Sequence, residues 1–211
     1  MDAGAEEYLS YLGGDDSGIS AITRGADPVD TGAEEYRRYL DGDDGGIARL
    51  IRIYNDGLVL YLNGIVGDMG AAEELVEDAF VKLAVKKPRF NGKSSFKTWL
   101  YAIARNLALD WIRKNGRKAH AELTEDMAEV RDGPELSYIK EERNKTLKRA
   151  MNRLNPDYGS VLYLSYFEGF TNEEIKTVMN KSGRQVENLL YRAKQALKAQ
   201  LEKEGFVYEE L

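Results

Sequence analysis

The sequence predicts an all-α protein built as two helical units. Three observations carry that prediction. Apolar residues recur at helical spacing from Ile47 onward, strands with regular alternation are hard to find, and helix-start signals stand at Asp68, Asn155, Thr171 and Ser182. A globular composition, with 43% hydrophobic and 31% charged residues in 211, is enough to bury a real core.

At the N-terminus, GAEEYLSYLGGDDSGISAI from Gly4 and GAEEYRRYLDGDDGGIARL from Gly32 match at 12 of 19 positions. Two copies do not make a solenoid. The preferred reading is a duplicated helical start whose second copy runs into the folded domain while the first forms an extension. The functional alternative is that the first copy competes for the docking surface of the second. A helix over about Gly46 to Val66 follows, and Gly67 then punctuates before Asp68, which is placed to cap the next helix. There Ala72, Leu75, Val76, Ala79, Phe80 and Leu83 form one apolar stripe, leaving Glu73, Glu74, Glu77 and Asp78 on other faces. Pro88 and Asn91-Gly92 mark a loop. A third helix is expected from about Ser95 to Lys114, burying Phe96, Leu100, Ile103, Leu107 and Trp111.

Residues 116–142 carry Gly133-Pro134, weak periodicity and acidic charge, the pattern of a linker. Beyond it, Asn155-Pro156 opens a helix through about Phe167, closed by Gly169. Thr171 to Glu174 and Ser182 to Gln185 each have capping-box spacing and lie eleven residues apart. The first of these helices should bury Ile175, Val178 and Met179, and the second Val186, Leu189, Leu190, Ala193 and Leu197. With Asn180-Lys181 as the turn, this is the sequence form of a helix-turn-helix.

Charge divides the chain in the same places. The net charge of −6 resolves into −9 over residues 1–46, +6 over 47–118, −6 over 119–142 and +3 over 143–211. The stretch Lys86–Lys118 holds ten Lys or Arg against the single acid Asp110, enough to attract phosphate locally. It also interleaves Phe90, Phe96, Trp99, Tyr101 and Trp111, a mixture suited to tracking a single strand while stacking its bases. Phe96 and Trp111 belong to the expected core stripe, whereas Phe90 and Trp99 lie off it. On the turn and second helix of the helix-turn-helix, Lys181, Arg184, Gln185, Asn188 and Arg192 are placed to meet base edges and phosphates in a major groove. An ordinary αα-hairpin has the same spacing. Glu187 would oppose phosphate, and Gln185 is drawn toward its capping role.

Several chemistries are excluded or unsupported. The absence of cysteine removes disulfides, thiolate nucleophiles and cysteine-ligated metals. His120 is the lone histidine and falls in the linker, and no Gly-rich phosphate loop, G-x-S-x-G elbow or H-E-x-x-H occurs. No catalytic residue, metal or cofactor is expected. The acidic helix face has no matching carboxylate helix, so it suits docking to a basic partner better than metal binding. No apolar run has transmembrane length and the acidic start lacks signal-peptide character, so no membrane association is expected and the expected address is cytoplasmic.

AEELVEDAFVKL, FKTWLYAIARNLALDWIRK and TNEEIKTVMNKSGRQVENLLYRAKQAL, in that order around an acidic linker, resemble a bacterial RNA polymerase sigma factor of the extracytoplasmic-function group within the sigma-70 family. The resemblance covers about residues 34–202. It implies an N-terminal acidic extension (1–31), a sigma region 2 helical bundle (32–115), the acidic linker (116–142), a sigma region 4 helix-turn-helix (143–204) and a short tail (205–211). It further implies that Glu74, Glu77 and Asp78 dock on the β′ clamp coiled coil of core RNA polymerase. Arg89, Phe90, Asn91, Lys93, Lys97, Trp99, Arg105 and Arg113 would then engage the minus-10 element, the loop around Phe90 and Asn91 receiving a flipped base. Lys181, Arg184, Gln185, Asn188 and Arg192 would read the minus-35 element while region 4 meets the β flap. Promoter DNA is thus an expected partner, and an anti-sigma factor is a further one that the family allows. The acidic extension could lie across basic region 2. The rival reading is a stand-alone helix-turn-helix regulator, which leaves the basic aromatic loop unexplained; a magnesium-dependent nucleic-acid enzyme has less support still.

Overall fold

A computed structural model describes residues 30–115, 146–147 and 149–204. The first repeat copy, the acidic linker with His120, and the tail fall outside the described residues. Among the described residues all regular structure is helical: α1 (Thr31–Leu40), α2 (Gly45–Val66), α3 (Met69–Lys86), α4 (Phe96–Asn115), α5 (Pro156–Leu162), a π-helical turn (Tyr163–Phe167), α6 (Asn172–Met179) and α7 (Gly183–Lys203).

The first unit is a bundle of α1 to α4. Helix α2 is apolar enough to bury Leu50, Leu58, Tyr61, Leu62, Ile65 and Val66, and it ends where Gly67 takes the left-handed conformation (φ 73°) and donates to Asn63 O at 2.8 Å. Asp68 caps α3 as expected, its Oδ1 accepting from Ala71 N at 2.9 Å. The expected α3 stripe from Ala72 to Leu83 is buried in full. Helix α1 is held by its two tyrosines. Tyr36 donates its hydroxyl to Pro88 O and Tyr39 to Ala84 O, both at 2.8 Å, which closes the end of α3. One carboxylate ties α1 to α4: Asp30 Oδ1 accepts from Ala33 N at 3.1 Å, and Oδ2 accepts from Phe96 N, the first amide of α4, at 2.6 Å.

Helix α4 is rotated from its expected setting. Phe96 and Leu100 are buried as anticipated, but Ile103, Leu107 and Trp111 are only half-buried, whereas Tyr101, Ala104, Arg105 and Ala108 are fully covered. The reason is a second packing partner, because α6 lies along that side of α4. In the second unit helical residues at 146–147 and 149–152 precede α5, where Asn155 accepts from Asp157 N at 2.9 Å and Pro156 fills the first helical position. The expected helix through Phe167 is α-helical only to Leu162. Its continuation is π-helical, with Glu168 N donating to Tyr163 O at 3.1 Å, before Gly169 (φ 68°) reverses the chain.

The two units pack on each other through polar chemistry around a glycine. Tyr163 donates its hydroxyl to Gly57 O at 3.2 Å, and a Cβ at Gly57 would lie 2.6 Å from both the Glu168 carboxylate and the Tyr101 hydroxyl. Glycine at that position is what lets these groups approach α2. Tyr101 also meets Phe170 edge-on, with ring centroids 5.2 Å apart.

Burial raises the pKa of Tyr61, Tyr101 and Tyr163, with the Glu168 carboxylate adding to the shift at Tyr101 and Tyr163, and it pushes Tyr36 up to about 12. The folded chain therefore keeps these protons after the unfolded chain, titrating near pH ~10, has lost them. Stability falls as pH rises from about 10 through 12. Thermal unfolding followed with the tyrosinate absorbance should show melting temperature declining in that window and the tyrosinate signal appearing with unfolding.

Candidate nucleic-acid and polymerase interface

The helix-turn-helix is built by two complete capping boxes. Thr171 Oγ1 accepts from Glu174 N while Glu174 Oε2 accepts from Thr171 N at 2.9 Å; Ser182 Oγ accepts from Gln185 N while Gln185 Oε1 accepts from Ser182 N at 2.7 Å. Between them Asn180 takes the left-handed conformation (φ 51°), which asparagine tolerates better than most residues, and Lys181 N returns to Lys176 O at 3.0 Å. Ile175, Val178 and Met179 are buried, as are Val186, Ala193 and Leu197; Leu189 and Leu190 are half-buried. Arg184, Gln185, Asn188 and Arg192 are exposed, and the i, i+4, i+8 spacing of Arg184, Asn188 and Arg192 lines them along one face of α7. Gln185 spends its amide oxygen on the cap and keeps its amide nitrogen as a donor. Glu187 and Tyr191 are exposed beside that row.

On the first unit, Glu73, Glu74, Glu77 and Asp78 are all exposed on α3, opposite its buried stripe. None of these four carboxylates enters a salt bridge among the described residues, so the acidic face carries uncompensated charge. No group of carboxylates or histidines suited to a metal ion occurs among the described residues.

The residues expected at the minus-10 element separate into two groups. Arg89, Asn91 and Lys93 are exposed in the loop before α4, where Asn91 Oδ1 accepts from Lys93 N at 3.1 Å and Gly92 (φ 67°) makes the bend. Arg113 is also exposed and pairs with Asp110 one turn away. Phe90 and Trp99 do not stand free as their place off the stripe suggests. Both are half-buried in an aromatic cluster with Tyr36 and Phe96, the Phe90 ring lying 5.2 Å from Trp99 and 5.6 Å from Phe96. Tyr36 of α1, which sequence pattern alone did not connect to this loop, supplies the floor.

Lys97 and Arg105 belong to the joint between the units. Lys97 Nζ lies 2.8 Å from Glu168 Oε2 and 2.9 Å from Glu168 O, and sits over the Phe170 ring. Arg105 is 7% exposed and donates to Asp157 Oδ1 at 3.1 Å, while Lys181 Nζ approaches the other oxygen of that carboxylate at 3.1 Å. Ser95 and Thr98 both donate to Glu174 Oε1, at 3.3 and 3.2 Å. Three cations placed by sequence on two separate DNA-binding faces are thus neutralised by Asp157 and Glu168 of the second unit. Sequence reasoning did not assign those two carboxylates a role.

The chain matches the sigma-70 region 2 family over residues 50–118 and the sigma-70 region 4 family over residues 145–197. Similar proteins include the RNA polymerase sigma factor YlaC of Bacillus subtilis, 29% identical over 73% of this chain and 91% of the relative. The extracytoplasmic-function sigma factor SigW of the same organism is 29% identical over 72% of this chain and 87% of its own length. In fold the chain resembles CnrH, solved with the cytosolic domain of CnrY (TM-score 0.57, 18% identity, 82% of this chain and 96% of that one). It also resembles the sigma factor RpoE of Bartonella quintana, solved with the anti-sigma factor NepR (TM-score 0.61, 21% identity, 75% and 98%). With region 2 and region 4 matched in order on an all-helical framework, the chain belongs to the extracytoplasmic-function group of the sigma-70 family: it is a non-catalytic sigma factor that directs RNA polymerase to promoters.

Proposed function

We propose that this sigma factor is held closed when free and opens on core RNA polymerase to present two DNA-reading faces. The observation that carries this reading is that Glu168 and Asp157 of the second unit neutralise Lys97 and Arg105 of the first across the joint, Asp157 also holding Lys181 of its own unit. Phosphate and these carboxylates compete for the same cations, so promoter binding and the closed joint exclude each other. In the open form the loop Arg89–Lys93, with Phe90 and Trp99 behind it, receives the minus-10 element together with Lys97, Arg105 and Arg113. The row Lys181, Arg184, Gln185, Asn188 and Arg192 reads the minus-35 element. The acidic face of Glu74, Glu77 and Asp78 docks on the β′ clamp coiled coil, and region 4 docks on the β flap. The domain limits are those of the sequence reading, 32–115 and 143–204. The complexes of CnrH and of RpoE with their partners support an anti-sigma factor as a further partner here.

The Asp157→Asn, Glu168→Gln double variant tests the closed joint. Removing both carboxylate charges leaves Arg105 covered without a counter-ion, which strongly destabilises the contact. The expected result is a larger radius of gyration in solution scattering and about tenfold tighter binding of the free protein to promoter DNA, equivalent to about 1.4 kcal/mol. A variant as compact as the parent, with unchanged DNA affinity, would overturn the closed-form reading.

A further inference from the structure

The N-terminal repeat acquires a meaning once α1 is seen in place. Residues 30–44 pair with residues 2–16 at an offset of 28. Seven positions of the 30–44 segment are buried or half-buried: Asp30, Gly32, Ala33, Glu34, Glu35, Tyr36 and Tyr39. All seven are identical in the first copy, as Asp2, Gly4, Ala5, Glu6, Glu7, Tyr8 and Tyr11. The four positions that differ, Thr31, Arg37, Arg38 and Asp41, are all exposed. Every position that this segment buries is therefore retained and every change falls on a water-facing position, the exposed Leu40, Gly42, Asp43 and Asp44 being kept as well. Just beyond, where the chain enters the body of α2, positions 45, 48, 49 and 50 differ from the first copy while Gly46 and Ile47 are kept.

The retained residues are those with demanding neighbours. A Cβ at Gly32 would lie 2.5 Å from the Tyr54 hydroxyl and 2.6 Å from the Phe96 ring. Glu35 is buried and accepts from Arg49 Nε at 2.5 Å, and Asp43 accepts from the same guanidinium at 2.5 Å. Arg49 stands on α2, beyond the exchanging segment 30–44 and opposite Ala21 in the first copy, so it is available to whichever copy is seated. Glu35 also receives Arg38 at 2.8 Å, which the first copy replaces with Ser10, so the second copy has the advantage in the resting chain.

We propose that residues 2–16 are an interchangeable replacement for residues 30–44, seating in the same groove between α2, the end of α3 and the start of α4, with Asp2, Glu7, Tyr8 and Tyr11 taking the contacts of Asp30, Glu35, Tyr36 and Tyr39. In the exchanged state the seated first copy stops short of Gly45, and the chain from residue 17 loops out and returns to enter α2 through Asp44. Closing a loop of that length is entropically modest, and the tether keeps the competing copy at high effective concentration. Exchange also changes the surface of region 2, since Leu9 and Ser10 then stand where Arg37 and Arg38 were, removing two positive charges.

Four full-length proteins test this: the parent, Tyr8→Ala, Tyr36→Ala and the Tyr8→Ala, Tyr36→Ala double variant. With exchange, Tyr8→Ala leaves the melting temperature unchanged and Tyr36→Ala lowers it slightly, because the first copy takes over. The double variant falls by at least twice the sum of the single shifts. A double-variant shift equal to that sum overturns the proposal, as does a Tyr36→Ala chain that fails to fold, because the intact first copy should have rescued it. In the Tyr36→Ala background a photo-crosslinking amino acid at position 11 should bond within the same chain to residues 84–87, at a yield independent of protein concentration. Crosslinks found elsewhere, or only between two chains, refute exchange within one molecule.

Discussion

Replacing Glu74 and Asp78 together with lysine abolishes co-elution with core RNA polymerase and leaves the helical far-UV circular dichroism signal intact. Both residues are exposed on α3, one turn apart, and neither makes a salt bridge among the described residues. The fold therefore loses almost nothing when their sign is reversed, since exposed charges away from structural contacts contribute little to stability. A docking partner whose basic surface meets this face loses two attractions and gains two repulsions, and like charges brought together at an interface cost several kcal/mol. Glu77 shares the exposed side of the helix, so reversing it as well deepens the loss. A charge-reversed chain that still co-elutes at the parental salt midpoint removes the acidic face from the polymerase interface.

Replacing Arg184 with alanine weakens recognition of the minus-35 element by about 1 to 3 kcal/mol, the range for one bidentate contact to guanine. The effect should be confined to sequence-specific binding: competition against a scrambled minus-35 duplex should show the specificity ratio collapsing while non-specific affinity falls only by one phosphate-sized step. Arg184 lies in the first turn of α7, exposed and aligned with Asn188 and Arg192, and truncating it disturbs neither the Ser182–Gln185 cap nor buried Val186. Lys181 makes an informative contrast. Its ammonium is engaged with Asp157 of its own unit, so Lys181→Ala also leaves that carboxylate to Arg105 alone. An Arg184→Ala protein with undiminished discrimination between the two duplexes sinks the base-contact assignment.

Local punctuation was legible in the sequence wherever a single side chain decides the backbone. Asp68, Asn155, Thr171 and Ser182 all cap the helices they precede, because a carboxylate, amide or hydroxyl at that position satisfies amides that would otherwise be orphaned. The α3 stripe was equally readable because one apolar face meets one core. Helix α4 was misread in rotation because it has two partners, and an apolar stripe reports only the greasier one. Its second face, Lys97, Tyr101, Ala104, Arg105 and Ala108, follows helical spacing too, and the paired alanines signal close approach of another helix. Basic residues on that face pointed to phosphate when the chain was read alone; the carboxylates that answer them lie more than fifty positions away, on Asp157 and Glu168. The π-helical turn was also invisible, since Tyr163–Phe167 carries ordinary helix-forming spacing and the Gly57 carbonyl that Tyr163 meets lies far away in the sequence.

The double duty of the Asp30 carboxylate sets where region 2 can be cut. The matched family segment begins at residue 50, yet a fragment started there would leave Phe96 N without its acceptor and strip away the two tyrosines that secure the end of α3. A self-standing expression fragment of this half must reach back at least to Asp30, and trimming it shorter frays α4 at its first amide.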